Sequence, residues 1–348
     1  MLKVLVIGDP YFDTKNFEKV LSNLESKFSF TYFQIPDTKI DLPVTESEKR
    51  LREYAGNPKE IAKLAKGFDI LVVHGAGISE EVLATPGLRM VCCARGGPVN
   101  VDSEAATKLG IPITNSPGKN AAAVADLTIA FSLILLRGIF SSSKDLISGK
   151  STSESVFDGK NYFGVEPKTQ TLGLVGFGNV GKEVLARARP LGFEILTYDP
   201  FAKEFPSGVE SVGLNELLDR SNLVSLHARL TKDNLHFIDQ SKFNLMKDGA
   251  FFINSAREQL VNESDLLVAL NSNKLGGAAL DVFELMPNSE VNPLLKSPKV
   301  IATPHIGGAT TETLVRGAHM VSESIRAFAT GKPIPYLTNP DFQKARLK

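Results

Sequence analysis

Along the chain, short apolar runs alternate with stretches in which apolar residues recur at helical spacing. The first runs stand at 3–8, 29–34, 69–74, 90–94 and 111–114. Between most of them lie helical patterns such as Phe17, Val20, Leu21 and Leu24, or Ile61, Leu64 and Ala65. Strands alternating with helices predict a parallel, doubly wound sheet. The stretch 36–58, with Pro36, Pro43 and Pro58 among many charges, predicts an excursion rather than a domain boundary. A second series of strand-like runs includes Leu172–Val175, 194–198, 223–226, 250–254, 278–280 and 300–302. Helical patterns at 214–220, 262–273 and about 309–330 accompany it.

The two series meet at Ser116-Pro117-Gly118, after which residues 121–136 are apolar at 13 of 16 positions. A helix apolar nearly all round is buried on most faces. Its length suits one that crosses between domains and packs against a second subunit. Residues 141–170, polar and glycine-containing, predict a wrapping surface loop.

At 348 residues, the chain is long enough for about two domains with full cores. Lys plus Arg and Asp plus Glu are both 39, so no global field recruits nucleic acid or an anionic membrane. The only cysteines, Cys92 and Cys93, are adjacent in an apolar run, which argues against a disulfide framework or a metal site. Buried thiols in a reducing cytoplasm are expected, and no bound metal. The N-terminal apolar run is too short for a signal peptide, and no stretch reaches the length of a membrane span.

Specific chemistry begins at Gly176-x-Gly178-x-x-Gly181. An apolar run stops there, a helical pattern starts with Val180, Val184 and Leu185, and the next run ends on Asp199, 18 residues past the last glycine. The glycines alone are weak evidence: with 28 Gly in 348 residues, chance gives about 0.2 matches. Strand before, helix after and acid at the right distance together predict a dinucleotide site. Gly176 permits the turn, Gly178 lets a pyrophosphate approach, and Gly181 lets helix and strand pack. The helix start at Asn179 and Val180 offers free N–H groups. Asp199 would accept from the adenosine ribose and repel a 2′-phosphate, which favours NAD over NADP. By contrast Gly75-Ala-Gly77 also follows a strand, but Glu80 holds its third glycine position. Two further points are unusual for plain connections: Arg257 in Asn254-Ser-Ala-Arg257, and His305 in Thr303-Pro-His305-Ile-Gly307-Gly308.

These motifs carry a resemblance. With Gly-Pro-Val-Asn100-Val-Asp102, Asn115-Ser-Pro-Gly-Lys119-Asn120 leading into Asp126, His227-Ala228-Arg229-Leu-Thr231 and Gly-Ala-Ala-Leu-Asp281, the chain resembles the D-isomer-specific 2-hydroxyacid dehydrogenases. The resemblance covers nearly the whole chain. It implies a flavodoxin-like substrate domain from residues 1–118 and 310–348, with an NAD-binding Rossmann domain, 119–309, inserted in it. The site would lie between them, and residues 119–140 would be central to a homodimer. It further implies hydride transfer between nicotinamide and C2 of a small 2-hydroxy or 2-keto acid. His305 would be the general acid/base, since imidazole titrates near neutrality. Arg257 would bind the carboxylate and the C2 oxygen, its planar fork matching both. Asp281 would orient the nicotinamide carboxamide, and Val124 would touch the nicotinamide side. His227, Ala228, Arg229, Thr231, Ser255, Ala256, Gly307 and Gly308 would line the cofactor. The loops at His74-Gly75 and Arg95-Gly96-Gly97 would offer N–H groups to the substrate carboxylate.

Three features depart from the family pattern or limit it. Phosphoglycerate-specific members carry an arginine in the first of those loops, where this chain has His74, while Arg95 adds a charge that many members lack. Methionine, Met286 before Pro287, holds the position of the catalytic glutamate, and Glu284 lies two residues earlier. With the chain ending at Lys348, no regulatory domain is expected. The alternative to an enzyme is a non-enzymatic NAD(H)-responsive binding or sensor protein of the same fold; Met286 favours it, whereas Arg257 and His305 favour catalysis.

Overall fold

The structure, a computed structural model, describes all residues except Glu25, 37–42, 151–157, 287–289 and 347–348. It divides into two compact units, Met1–Lys119 with Thr310–Lys348, and Asn120–Ala309.

In the first unit β1 (Leu2–Gly8), β2 (Phe28–Gln34), β3 (Ile70–Val73), β4 (Met90–Cys93) and β5 (Ile113–Thr114) form one sheet in the order β2-β1-β3-β4-β5. Every pairing is parallel. Strands β3 and β4 are continuous apolar runs because helices cover both faces, leaving all eight residues buried. One face packs Ile61, Val82 and Ala106; the other packs Phe17, Leu21 and, from the helix Thr311–Ala329, Ala318, Val321 and Ile325. The order reverses between β1 and β3, and at such a switch point the strand ends leave a crevice.

In the second unit β6 (Thr171–Val175), β7 (Glu194–Tyr198), β8 (Glu210–Ser211), β9 (Leu223–Leu226), β10 (Ala250–Asn254), β11 (Leu275–Leu280) and β12 (Val300–Ala302) pair in the order β12-β11-β10-β9-β6-β7-β8. This sheet too is parallel throughout, with its switch point between β6 and β9. The helix Ala121–Arg137 lies on it, burying Phe131, Leu135 and Leu136 against Leu172, Leu174 and Leu185. Both domains are therefore α/β with doubly wound parallel sheets.

Three local elements differ from the pattern-based reading. Residues 141–147, the start of the stretch 141–170 expected to be a loop, are helical within Ile139–Ile147. Gly138 takes a left-handed φ of 59°, ends the preceding helix and turns the chain by 66° into the next. The serines that suggested a loop bond back within that turn: Ser141 and Ser142 donate to the carbonyls of Gly138 and Ile139. Within the excursion a helix forms at Glu46–Arg50, where Thr45 and Glu48 satisfy each other's N–H groups. Helix Gln240–Leu245, capped by Asp239, had no pattern to announce it. No single helix among the described residues is long and apolar enough to cross a membrane.

Candidate active site

At the switch point of the second unit the three glycines act for three different reasons. Gly176 has φ +102°, and a Cβ there would stand 2.6 Å from the Ala228 nitrogen, on the neighbouring strand end. A Cβ on Gly181 would lie 2.5 Å from the Gly176 carbonyl oxygen, so any side chain would push the helix off the turn. Gly178 faces open space, with nothing within 4 Å of a Cβ. It is the N-cap of helix Asn179–Ala188 and gives that helix no side-chain cap. The orphan N–H groups at Asn179 and Val180 are thus free to bind a phosphate. Asp199 lies beside them: one oxygen accepts from the Phe177 N–H at 2.7 Å, the other from the Phe201 N–H at 2.8 Å. A carboxylate has about four lone-pair sites, so capacity for two ribose hydroxyls remains. Open cradle, uncapped helix and adjacent acid fit a dinucleotide.

His227 follows β9 with both ring nitrogens shielded and without partners among the described residues. Burial pushes its imidazole down to about 3, so the ring is neutral near pH 7. Its neighbours serve the turn. Arg229 gives its carbonyl to Asn234, and Thr231 and Asn234 cap each other. Ser255 pairs with Thr128 on the long apolar helix at 3.2 Å.

Asp281, at the end of β11, is 2% exposed and organises the loop after β12. It accepts from Thr303 Oγ1 at 2.6 Å, the Ile306 N–H at 2.8 Å and the Gly307 N–H at 2.7 Å. Its carbonyl receives the His305 N–H. A Cβ on Gly307 would meet the carboxylate at 2.7 Å, and one on Gly308 would meet Asn120 at 3.0 Å. Val124 packs on Gly307 and is buried. Against this clamp His305 projects outward, exposed, on a backbone with φ +56°. A non-glycine residue held left-handed costs of order 1–3 kcal/mol and persists where its surroundings enforce it. Arg257 is exposed on a turn made by buried Asn254, whose side chain accepts from the Ala256 N–H and donates to the Arg257 carbonyl. That spends the Ala256 N–H on the turn. One guanidinium N–H bonds the Ala256 carbonyl; the other donors of Arg257 have no partner among the described residues. Met286 is half-buried, Pro287 lies outside the described residues, and Glu284 sits 3.7 Å from His236.

The switch point of the first unit is built from charge. Asp9, following β1, and His74, following β3, meet at 2.9 Å from Oδ2 to Nδ1. The same oxygen takes the Gly75 N–H at 2.6 Å, while Oδ1 takes the N–H groups of Tyr11 and Phe12. The Gly75 N–H that the resemblance offers to a substrate is thus already engaged. Burial works to raise the Asp9 carboxyl, but His74 and the backbone donors outweigh it and hold it below its usual value. Burial also lowers His74, so the neutral ring donates from Nδ1, and Nε2 has no hydrogen-bond partner among the described residues. Gly96 and Gly97 keep their N–H groups free among the described residues. Arg95 beside them pairs with the Glu53 carboxylate and carbonyl.

Lys119 completes this end. Its stem crosses Gly317, and its ammonium stands 5.4 Å from the centre of the Phe12 ring. The residue is 7% exposed, and Nζ has no hydrogen-bond partner among the described residues. A desolvated cation–π contact returns about 2 kcal/mol, less than the several kcal/mol that burying the ion costs. Burial pushes the Lys119 amine down to about 8, helped by Arg95 and opposed by Cys93 and Asp9.

Asp9 and Lys119 had no assigned role in the sequence. An acid directly after the β1 glycine was a usable signal; the burial of Lys119 had none. No group of three His, Cys, Asp or Glu residues that could hold a metal occurs among the described residues.

Residues 129–307 match the family model of the D-isomer specific 2-hydroxyacid dehydrogenase NAD binding domain. The chain is similar to the glyoxylate reductase of Korarchaeum cryptofilum, 37% identical over 295 residues, covering 83% of this chain and 88% of the other. It is 34% identical over 286 residues to the D-3-phosphoglycerate dehydrogenase of Archaeoglobus fulgidus, covering 81% of this chain. It spans about half the length of that relative, 53%. In fold it resembles the structure of D-2-hydroxyisocaproate dehydrogenase, with a TM-score of 0.81, 24% identity and coverage of 97% and 100%. With glycine loop, acid and clamped histidine loop in one matched region, the chain belongs to the D-isomer specific 2-hydroxyacid dehydrogenase family, and its cofactor is NAD.

Proposed function

We propose that the protein is an NAD-dependent dehydrogenase that interconverts a D-2-hydroxy acid and its 2-keto acid. The observation that carries this reading is the His305 loop, where four hydrogen bonds to Asp281 hold a left-handed backbone that presents an exposed imidazole. Bound NAD supplies the hydride acceptor in oxidation, and NADH the donor in reduction. Arg257 uses its free donors on the substrate carboxylate and on the negative charge that develops at the C2 oxygen. His305 takes the hydroxyl proton in oxidation and returns it in reduction. Met286, a thioether, can neither donate nor receive that proton, which leaves His305 as the acid/base.

Asp281 acts in this scheme by holding His305 and Gly307. The free N–H groups of Gly96 and Gly97 suit a carboxylate. For assembly, the exposed apolar residues Ile139, Phe140, Ile147 and Phe163 support a homodimer through 119–140 and the helix that follows. The two buried, free thiols support a reducing compartment, the cytoplasm.

The test is NADH oxidation, followed at 340 nm, against a panel of 2-keto acids. Reduction of at least one with kcat/KM above about 10⁴ M⁻¹s⁻¹ is expected for a true substrate. Tight NADH binding with no turnover of any would favour the sensor reading instead.

A further inference from the structure

Among the described residues, Lys119 is the charged side chain of the first switch point with no hydrogen-bond or ion-pair partner. Asp9 is met by four donors, His74 by Asp9, and Arg95 by Glu53. Among the described residues the Lys119 ammonium has the face of Phe12 alone, which itself is fully buried and stacked on Phe17. A purely structural lysine of this length would carry its amine to water or to a carboxylate. Here the stem is held by Gly317, and the amine stays inside.

We propose that Lys119 is a specificity-determining residue, pairing with a second anionic group, phosphate or carboxylate, on the 2-keto acid substrate. The inference rests on the dehydrogenase reading above. Three strand ends of one parallel sheet supply the surroundings: His74 after β3, Arg95 after β4 and Lys119 after β5. Parallel strands present ligands at those ends. Phe12 joins two of them: its ring lies 5.4 Å from the Lys119 ammonium and 5.4 Å, centre to centre, from the His74 ring. The anion supplies the charge that the fold withholds from Lys119, and His74 can turn its Nε2 toward the same ligand by taking up a proton. Glu53, paired with Arg95 at the margin, is the group such an anion would compete with.

The experiment compares kcat/KM, with saturating NADH, for monoanionic acids (glyoxylate, pyruvate, hydroxypyruvate), a phosphorylated acid (3-phosphohydroxypyruvate) and dicarboxylates (oxaloacetate, 2-oxoglutarate). The parent should favour one of the doubly charged classes over the monoanions by at least tenfold, and which class wins identifies the anion. Lys119→Met should cut that ratio at least tenfold, chiefly through KM, and Lys119→Arg should restore part of it. Equal preference in the parent, or an unchanged ratio in Lys119→Met, overturns the proposal. If no keto acid is reduced at all, the dehydrogenase reading has failed separately. The proposal is then decided by thermal shift with 3-phosphoglycerate. Stabilisation of the parent and not of Lys119→Met sustains it, and equal or absent stabilisation of both overturns it.

Discussion

The two switch points solve the same geometric problem with opposite materials. In the second unit, the ends of β6 and β9 come together because side chains are absent there: a glycine turn, an uncapped helix and an empty space over Gly178. In the first unit the ends of β1 and β3 are tied together by a buried carboxylate and imidazole, with Lys119 and Arg95 at their side. Backbone N–H groups recognise a phosphate bridge without titrating, whereas side-chain charges recognise an anion and change with pH. The arrangement in the second unit is therefore insensitive to pH, and that in the first responds to it.

The contrast between the two units has measurable consequences. The largest effect is expected at His305, which belongs to the glycine-built unit. His305→Asn should lower turnover by about 10²–10⁴-fold while NADH binding, followed by fluorescence titration, stays at the parent value. A variant that reduces its best substrate at the parent rate would exclude His305 as the acid/base.

Next is Asp9→Ala, which strips one acceptor from His74, Gly75, Tyr11 and Phe12 together. Leaving buried donors unpaired should cost about 3 kcal/mol in urea unfolding of the first unit. NADH affinity of the intact second unit should not follow it; parallel loss of both would mean the contrast is wrong.

Gly178→Val is smaller. Nothing stands within 4 Å of its Cβ, so melting temperature should hold while the new side chain shields the helix N-terminus. NADH should bind about tenfold more weakly, or ~1.4 kcal/mol. Gly181→Ala, which meets a carbonyl at 2.5 Å, should instead lose stability. Equal behaviour of the two would dispose of the assignment of separate roles.

The smallest effect is in pH dependence. The folded Lys119 amine lies near 8, below its ordinary 10.5. Between those values the unfolded chain holds the proton and the folded chain has released it, so stability rises with pH across that window. The burial cost is thus full below about pH 8 and fades toward 10.5. Lys119→Met should be more stable than the parent at pH 7, with the advantage narrowing by pH 10. A gap in urea midpoint that stays constant over this range would place the amine in solvent. His74 acts at the other end: its lowered value lets the unfolded chain take up protons first below about 6.5, so acid weakens the first unit.

Much of this molecule was legible in its sequence, because periodicity and glycine spacing are local properties. Apolar runs of four to seven residues with helices between them can only stack as parallel, two-sided sheets. Gly176, Gly178, Gly181 and Asp199 sit within one βαβ unit, so their spacing in sequence sets their spacing in space. The same locality misled the reading at Ser141–Ser143, where composition indicated a loop and the chain is helical, Ser141 and Ser142 bonding back to the carbonyls of Gly138 and Ile139. Contacts that depend on strand order, by contrast, are set by the assembled fold. Asp9 and His74 lie 65 residues apart and meet because β1 and β3 are neighbours. Asp281 reaches Gly307, 26 residues on, because β11 pairs with β12. Lys119 reads as an ordinary surface lysine until Phe12 and Gly317, from opposite ends of the chain, close over it. Pattern fixes which face of a strand is apolar, but only the crossover between strands determines which charges end up side by side.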